Sequence, residues 1–273
     1  MNLLSADRIR ENIGGAACSS LESIEVFPEI GSTNSYLLNQ PGPGVDNYRV
    51  ALAEFQMTGR GRMNRSWYSP RSSGLCMSLA YTFPGMPDKL PSLSLAIGSG
   101  IAEALLSFGV RDIGLKWPND IVVGDAKLCG ILSEVAPASG AGLTVVIGVG
   151  LNVDLGDACK TTESVNGTGR MIDLASCSDS LPSRSEIAAM LIESIFDTIR
   201  RFAADGFSPF LTAWNRSDWL RGRRIKVETA TGLIAGIADG IDQDGALLLD
   251  CGGAVQHLMS GSVILDEQTS VQR

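Results

Sequence analysis

The chain is 273 residues long, 44% hydrophobic and 19% charged, the make-up of a globular protein with room for one sizeable core and a small second one. Its net charge of -8 argues against a broad nucleic-acid footprint, and its six cysteines without a C-x-x-C pair, with His257 the single histidine, exclude the usual zinc spacings. Asp7, Arg8, Arg10 and Glu11 break any leader-like apolar stretch, and the most apolar long window, residues 90–110, is periodic rather than continuous; a cytoplasmic protein with reduced thiols and no membrane span is expected.

In chain order, Ser5 is placed to cap a short helix that Gly14-Gly15 would stop, and residues 22–27 read as a first strand. Ser32-Thr33-Asn34 then reads as the cap of a helix over 35–39, and a Pro-Gly loop leads to a strand over 48–55. Residues 58–79 follow, packing Arg60, Arg62, Arg65, Arg71, three glycines and Trp67 into an otherwise acidic chain, and they run into a strand over 75–83. A strand, a basic glycine-rich loop and a returning strand can converge backbone N–H groups and guanidinium forks on phosphate or carboxylate oxygens. The alternative is a solvated loop whose arginines pair with surface acids.

Residues 91–108 carry apolar positions at helical spacing, with Gly98 and Gly100 expected to allow close packing against a sheet. Four strands follow at 113–117, 121–123, 127–135 and 143–153; a tight turn at Gly124-Asp125 would bring Lys116, Asn119, Asp120 and Lys127 to one sheet edge or end. Residues 155–182 are polar and long for a loop, a candidate lid. Ser183 and Glu186 form a capping box for a helix through Phe202, a short helix is expected over 210–220, and from Gly222 onward five short strands predict a small all-β module.

No P-loop, complete G-x-G-x-x-G or G-x-S-x-G is present, and Gly148-Val-Gly150-Leu-Asn152 is only half a dinucleotide fingerprint. A chemistry that needs cations and backbone donors but no histidine is the activation of a carboxylic acid by a nucleotide. The acid is already ionised at pH 7 and is its own nucleophile; the protein must supply positive charge for the phosphate.

Residues 54–78 (EFQMTGRGRMNRSWYSPRSSGLCMS), KWPND at 116–120, KLCGILSE at 127–134 and GVGLNV at 148–153 resemble, in order, the signatures of the biotin protein ligases, and residues 240–250 with 259–265 resemble that family's C-terminal SH3-like module. The resemblance implies an α+β, class II synthetase-like catalytic domain over residues 1–219, with a mixed or antiparallel sheet and flanking helices, followed by an SH3-like β-barrel over 220–273. It implies formation of biotinyl-5'-AMP from biotin and ATP with Mg2+, then transfer to a lysine of a biotin carboxyl carrier protein. Carried over by position, Ser32, Thr33, Asn34, Gln56, Gly59, Arg60, Lys127 and Gly130 would bind biotin. Arg62, Trp67, Asn119, Gly148, Gly150 and Asn152 would bind ATP and the adenylate. Arg60, Arg62, Lys127 and Asp120 would carry the chemistry, with Asp120 either assisting the metal or taking the proton of the acceptor lysine.

The pattern departs from the family at Asn64, where a glycine is usual, at Cys129, where alanine is usual and packing is the expected role, and after Asn152, where only position matches. About 30 residues precede Ser32, too few for the winged-helix domain of members that double as repressors, so no DNA binding is expected; a homodimer is left open. Two rivals stand beside this reading: a lipoate ligase or acyltransferase of the same superfamily, and a catalytically silent biotin or nucleotide sensor.

Overall fold

The computed structural model describes residues 3–137, 142–156, 170–178 and 180–265. A seven-stranded sheet forms from β1 (Leu21–Phe27), β2 (Tyr48–Ala53), β3 (Gly74–Phe83), β4 (Ile113–Lys116), β5 (Asp120–Val123), β6 (Ala126–Val135) and β7 (Leu143–Asn152), in the order β1-β2-β3-β7-β6-β5-β4. Only the β1–β2 pair is parallel; every other pair in the sheet is antiparallel.

Strand β3 is an apolar run buried at every position, because both faces of the sheet are covered there. On one face lies α5 (Arg184–Asp205), against which α4 (Leu93–Ser107) packs while also covering β4 to β6; on the other lies the short α3 (Thr33–Leu38). Under α3 a second small cluster forms from Leu37, Ala51, Ala80 and Val146. Helix α4 with the turn before it, residues 90–107, has a mean hydropathy of 1.3, enough by length and composition for a membrane crossing. Its side chains instead belong to the main core, where Leu93, Ile97 and Ile101 are fully buried.

Ser5 caps α1 (Ala6–Glu11), Ser32 caps α3, and the Ser183–Glu186 box opens α5, each at its expected place. Two expectations change. Gly14-Gly15 does not simply stop α1, since Gly14 caps a second helix, α2 (Gly15–Ser20), whose small residues hide a helix behind weak periodicity. Gly100 packs against α5 rather than the sheet: a Cβ there would lie 2.2 Å from Thr198 Oγ1, whereas one on Gly98 would meet Ile131 and Leu115 at ordinary distances.

After α6 (Leu211–Ser217) the chain enters a five-stranded antiparallel sheet of β8 (Arg224–Thr229), β9 (Gly232–Ile241), β10 (Leu247–Asp250), β11 (Val255–Leu258) and β12 (Ser262–Leu265), ordered β11-β10-β9-β8-β12. The expected α+β fold with a small SH3-like module is what the chain adopts. The module is tied to the first sheet by Trp117 Nε1, which donates to the Gly245 carbonyl at 3.1 Å, and by the Lys89–Asp244 ion pair at 3.0 Å.

Candidate functional site

The floor of the site is a patch of sheet without side chains. Gly130 on β6 pairs with Gly150 on β7, and Gly148 lies two residues along the same strand and therefore on the same face. The Trp67 ring lies flat on this floor: a Cβ on Gly150 would come within 2.3 Å of its Cε2, and one on Gly130 within 3.1 Å of its Cζ3. Over Gly148 sits Asn34 instead, whose Oδ1 would be 2.3 Å from an added Cβ. The missing side chains are what allow both groups to close down on the sheet.

One end of the cavity is lined by uncharged polar side chains, with the Arg60–Glu134 ion pair at its edge. Ser32, as N-cap, accepts from Ser35 N–H, which leaves its own hydroxyl hydrogen unused by the cap. Thr33 donates through its N–H and its hydroxyl to Gln56 Oε1 at 2.8 and 3.1 Å. Ser78, placed opposite Gly148 by the β3–β7 register, bonds Thr33 Oγ1 at 2.7 Å and donates to Asn34 Oδ1 at 2.6 Å. Asn34 Nδ2 donates to Glu134 Oε2 at 2.9 Å and to the Leu132 carbonyl at 3.3 Å.

The other end is cationic. Lys127 Nζ and Asp120 Oδ1 form an ion pair at 2.7 Å where β5 meets β6, and Lys127 Nζ also lies 5.4 Å from the Trp67 ring centroid. Burial lowers the basicity of Lys116 and of Arg62, and the Asp120 carboxylate beside both pushes back. Lys116 also faces the Trp219 ring at 5.4 Å. Arg60 turns the other way: it pairs with Glu134 and donates to Ser35 Oγ at 3.1 Å. The tight backbone of the basic loop falls at Met63, with φ 53°, one residue before the departure noted at Asn64.

Asn152, almost wholly buried, donates from Nδ2 to the carbonyls of Lys127 and Ile172 at 3.2 and 3.0 Å, and its Oδ1 has no partner. Trp67 Nε1 is likewise buried without a partner. Two such atoms in one cavity are a cost that a ligand's hydrogen bonds would offset. Asn119 donates to the Ile131 carbonyl at 2.7 Å, so its amide is engaged in bracing β6.

Ser32, Thr33, Asn34, Gln56, Arg60, Arg62, Trp67, Asn119, Asp120, Lys127, Gly130, Gly148, Gly150 and Asn152 all line one cavity. Gly59 lines an adjoining cavity of about 1110 Å3, which shares Gln56, Arg60, Arg62 and Trp67 with the first. Sequence reading did not single out Ser78 or Glu134 as site residues, although each closes a segment that carries the family resemblance; β3 alternation gives the face of Ser78. Of the candidate lid at 155–182, residues 157–169 and 179 lie outside the described residues. The described return at 170–172 runs beside β6, with Lys127 N–H donating to the Arg170 carbonyl and Ile172 N–H to the Lys127 carbonyl.

Among the described residues no group of three or more metal-ligating side chains converges. Among the described residues, Asp120 is the carboxylate that interacts with Lys116, Lys127 and Arg62. This donor set does not make a resident cation cage; it fits an ion delivered with nucleotide phosphates, to which a protein adds one or two carboxylates.

Residues 26–152 match the Biotin/lipoate A/B protein ligase family, and residues 221–266 match the Biotin protein ligase C terminal domain. The chain is 35% identical over 265 residues to the bifunctional ligase/repressor BirA of Escherichia coli (strain K12), covering 97% of this chain and 79% of that protein. It is 33% identical over 264 residues to the biotin-(acetyl-CoA-carboxylase) ligase of Mycobacterium tuberculosis, covering 94% of this chain and 93% of that one. Among solved structures, the biotin protein ligase from Aquifex aeolicus in complex with biotin and ATP superposes with a TM-score of 0.73 at 22% identity, covering 90% of this chain and 99% of the other, a likeness of fold. Both halves of the chain, the cavity's polar and cationic ends, and relatives that match it nearly end to end place this protein in the biotin protein ligase family.

Proposed function

We propose that the protein joins biotin to a lysine of a biotin carboxyl carrier domain in two steps within the one cavity. In the first, a carboxylate oxygen of biotin attacks the α-phosphorus of ATP; the new P–O bond gives biotinyl-5'-AMP and the bond to pyrophosphate breaks. In the second, the acceptor lysine's amine attacks the acyl carbon, the C–O bond of the mixed anhydride breaks, AMP leaves, and the amine loses a proton. A free lysine has a pKa of about 10.4, so a proton acceptor is needed, and Asp120 is the carboxylate within the site that can serve.

The observation that carries this reading is the cavity's division into a hydrogen-bonding end of neutral side chains, edged by a charge-balanced Arg60–Glu134 pair, and a cationic end, joined by a glycine floor under Trp67. Ser32, Thr33, Asn34 and Gln56 suit the ureido ring of biotin, with Gly59 and Gly130 leaving room for it. A ligand without that edge would leave these groups unpaired, which disfavours lipoate. Arg62 and Lys127 suit the α-phosphate and the developing charge, with Arg60 joining them once it leaves Glu134. Trp67 offers an aromatic face to adenine and Asn152 Oδ1 an acceptor for its amino group. Asn119, Gly148 and Gly150 frame the nucleotide. Mg2+ arriving with ATP would neutralise phosphate charge, and Asp120 is the residue that would help hold it. We assign the adenylation site to a catalytic domain of residues 1–219 and place the SH3-like module at residues 220–273.

The test is ATP–pyrophosphate exchange by the purified protein with biotin, lipoate or no acid. Exchange with biotin alone is expected. Exchange with lipoate instead would transfer the chain to the neighbouring branch of the superfamily, and exchange with neither would leave a silent binder.

A further inference from the structure

We propose that Lys116 is a catalytic residue of the adenylation step alone: its ammonium holds the β- and γ-phosphates of ATP and meets the charge of the departing pyrophosphate. The inference rests on the ligase reading of the cavity. Strand register carries it. Lys116 on β4 pairs with Asp120 on β5, Asp120 with Gly130 on β6, Gly130 with Gly150 on β7, and Gly150 with Cys76 on β3. Residues paired across antiparallel strands project from the same face of a sheet, so Lys116 and Asp120 stand on the face that carries the glycine floor. Both line the cavity, with Lys116 at the end of the row, on the edge strand.

Direction follows from the displacement. When a biotin carboxylate attacks the α-phosphorus, the entering and leaving oxygens lie roughly in line through phosphorus. The proposed biotin contacts lie over β3 and β7, where Ser78 faces Gly148 and Asn34 covers it. Lys127 Nζ, proposed for the α-phosphate, stands beside Asp120 at 2.7 Å. A nucleophile that enters from the β3 side therefore expels pyrophosphate toward β5 and β4. From β6 to β4 is two strand spacings, about 10 Å, which a diphosphate and a lysine side chain together span. The α,β-bridging oxygen leaves with the electron pair of the broken P–O bond, so negative charge grows where Lys116 can meet it.

Nor is Lys116 spent elsewhere. Arg60, Arg65 and Lys127 are each engaged, with Glu134, Ser262 Oγ and Asp120 respectively. The Lys116 ammonium is in no ion pair and no hydrogen bond among the described residues; Asp120 acts on it through space, and it lies 5.4 Å from the centroid of the Trp219 ring. That ring is itself anchored, since Trp219 Nε1 donates to the Gly124 carbonyl at 2.7 Å. The Asn119 N–H donates to the Lys116 carbonyl at 3.2 Å and fixes the turn between β4 and β5. Backbone and ring hold the lysine stem in place and leave its three donors for phosphate oxygens. In the second step the group that departs is AMP and pyrophosphate has gone, so Lys116 has nothing to hold.

The two steps can be measured apart. Single-turnover formation of biotinyl-5'-AMP from biotin and ATP reports the first, and transfer of biotin from chemically made biotinyl-5'-AMP to a biotin carboxyl carrier domain reports the second. Lys116→Met keeps an apolar stem and removes the charge; Lys116→Arg keeps the charge. The methionine variant is expected to form the adenylate about a hundred-fold more slowly and to need about ten-fold more pyrophosphate in ATP–pyrophosphate exchange, with transfer within about two-fold of the wild type. The arginine variant is expected to recover most of the first step. Lys116→Gln gives the same comparison should the methionine variant fail to fold. Equal slowing of both steps would overturn the proposal, since Lys116 would then shape the site through Trp219. So would a first step at the wild-type rate, or a slow first step with the need for pyrophosphate unchanged. No exchange with biotin in the wild type would instead sink the ligase reading, and this inference with it.

Discussion

The glycines of β6 and β7 are where single atoms decide the site. A Cβ on Gly150 would sit 2.3 Å from the Trp67 ring, well inside contact distance, and both the strand and the ring are held by neighbours. The ring has to lift, because β7 is paired on both sides along this stretch. Gly150→Ala is therefore expected to raise the KM for ATP by at least about ten-fold while binding of biotin, whose proposed polar contacts are Ser32, Thr33, Asn34 and Gln56, changes little. Isothermal titration with each substrate separates the two; an equal loss of both would mean that Trp67 is not the nucleotide's platform. The arginines were legible from the composition of the basic loop, which marks a place for an anion, whereas the glycines of β6 and β7 were marked only by the family resemblance of the segments that carry them. Ser78 and Glu134 were not, because their importance comes from partners 44 and 100 residues away that only the sheet register brings together.

The basic loop is an element whose two ends are held by one buried ion pair. Glu54, just before the loop, meets Arg184 at 2.7 Å with both side chains almost fully buried, and accepts from Leu4 N–H at 2.6 Å and Ser72 Oγ at 2.8 Å. Arg184 also donates to the Gly74 carbonyl at 3.3 Å, so the start of α5 grips the far end of the loop. Burial alone would push the Glu54 carboxyl up, but the Leu4 N–H, Arg184 and Ser72 together hold it below the ordinary carboxylate value. A depressed carboxylate stabilises the fold above its unfolded pKa, about 4.3, and that stability is lost as pH falls through the lower folded value. Glu54→Gln removes the carboxylate that the buried guanidinium meets and should cost about 3–5 kcal/mol at pH 7, a drop of roughly 10 °C in Tm. Adding Arg184→Met should recover part of that loss and flatten the acid limb of the stability curve. Thermal melts from pH 3 to 8 measure both effects, and an acid limb unchanged in the double variant would show that the pair does not govern it. The helix was legible from its capping box, but the ion pair was not, because nothing near Arg184 in sequence points to Glu54.

At the scale of the whole molecule the C-terminal module closes one side of the site and is coupled to it through the KWPND segment. The sequence predicted the module's five strands well, since alternating short runs and glycine turns depend only on neighbours. It could not say that the β9–β10 turn would press onto the start of α4, where a Cβ on Gly245 would lie 2.8 Å from Ser92 Cβ. There the Gly245 carbonyl accepts from Trp117 Nε1 at 3.1 Å, and Trp117 immediately precedes Pro118, Asn119 and Asp120. A second link runs from Arg65 Nη2 in the basic loop to Ser262 Oγ at 2.5 Å, so the module touches both walls of the cationic end. Trp117→Phe keeps the ring packing but removes the donor, leaving the Gly245 carbonyl buried without its partner at a cost of about 1–3 kcal/mol. Loss of that link should show in two places: a lower Tm, and a KM for ATP raised several-fold while biotin binding at the Thr33 and Gln56 end is unchanged. A lower Tm with ATP kinetics unaltered would mean that the module lends the site stability alone, and that the nucleotide is held entirely by the first sheet and its loop.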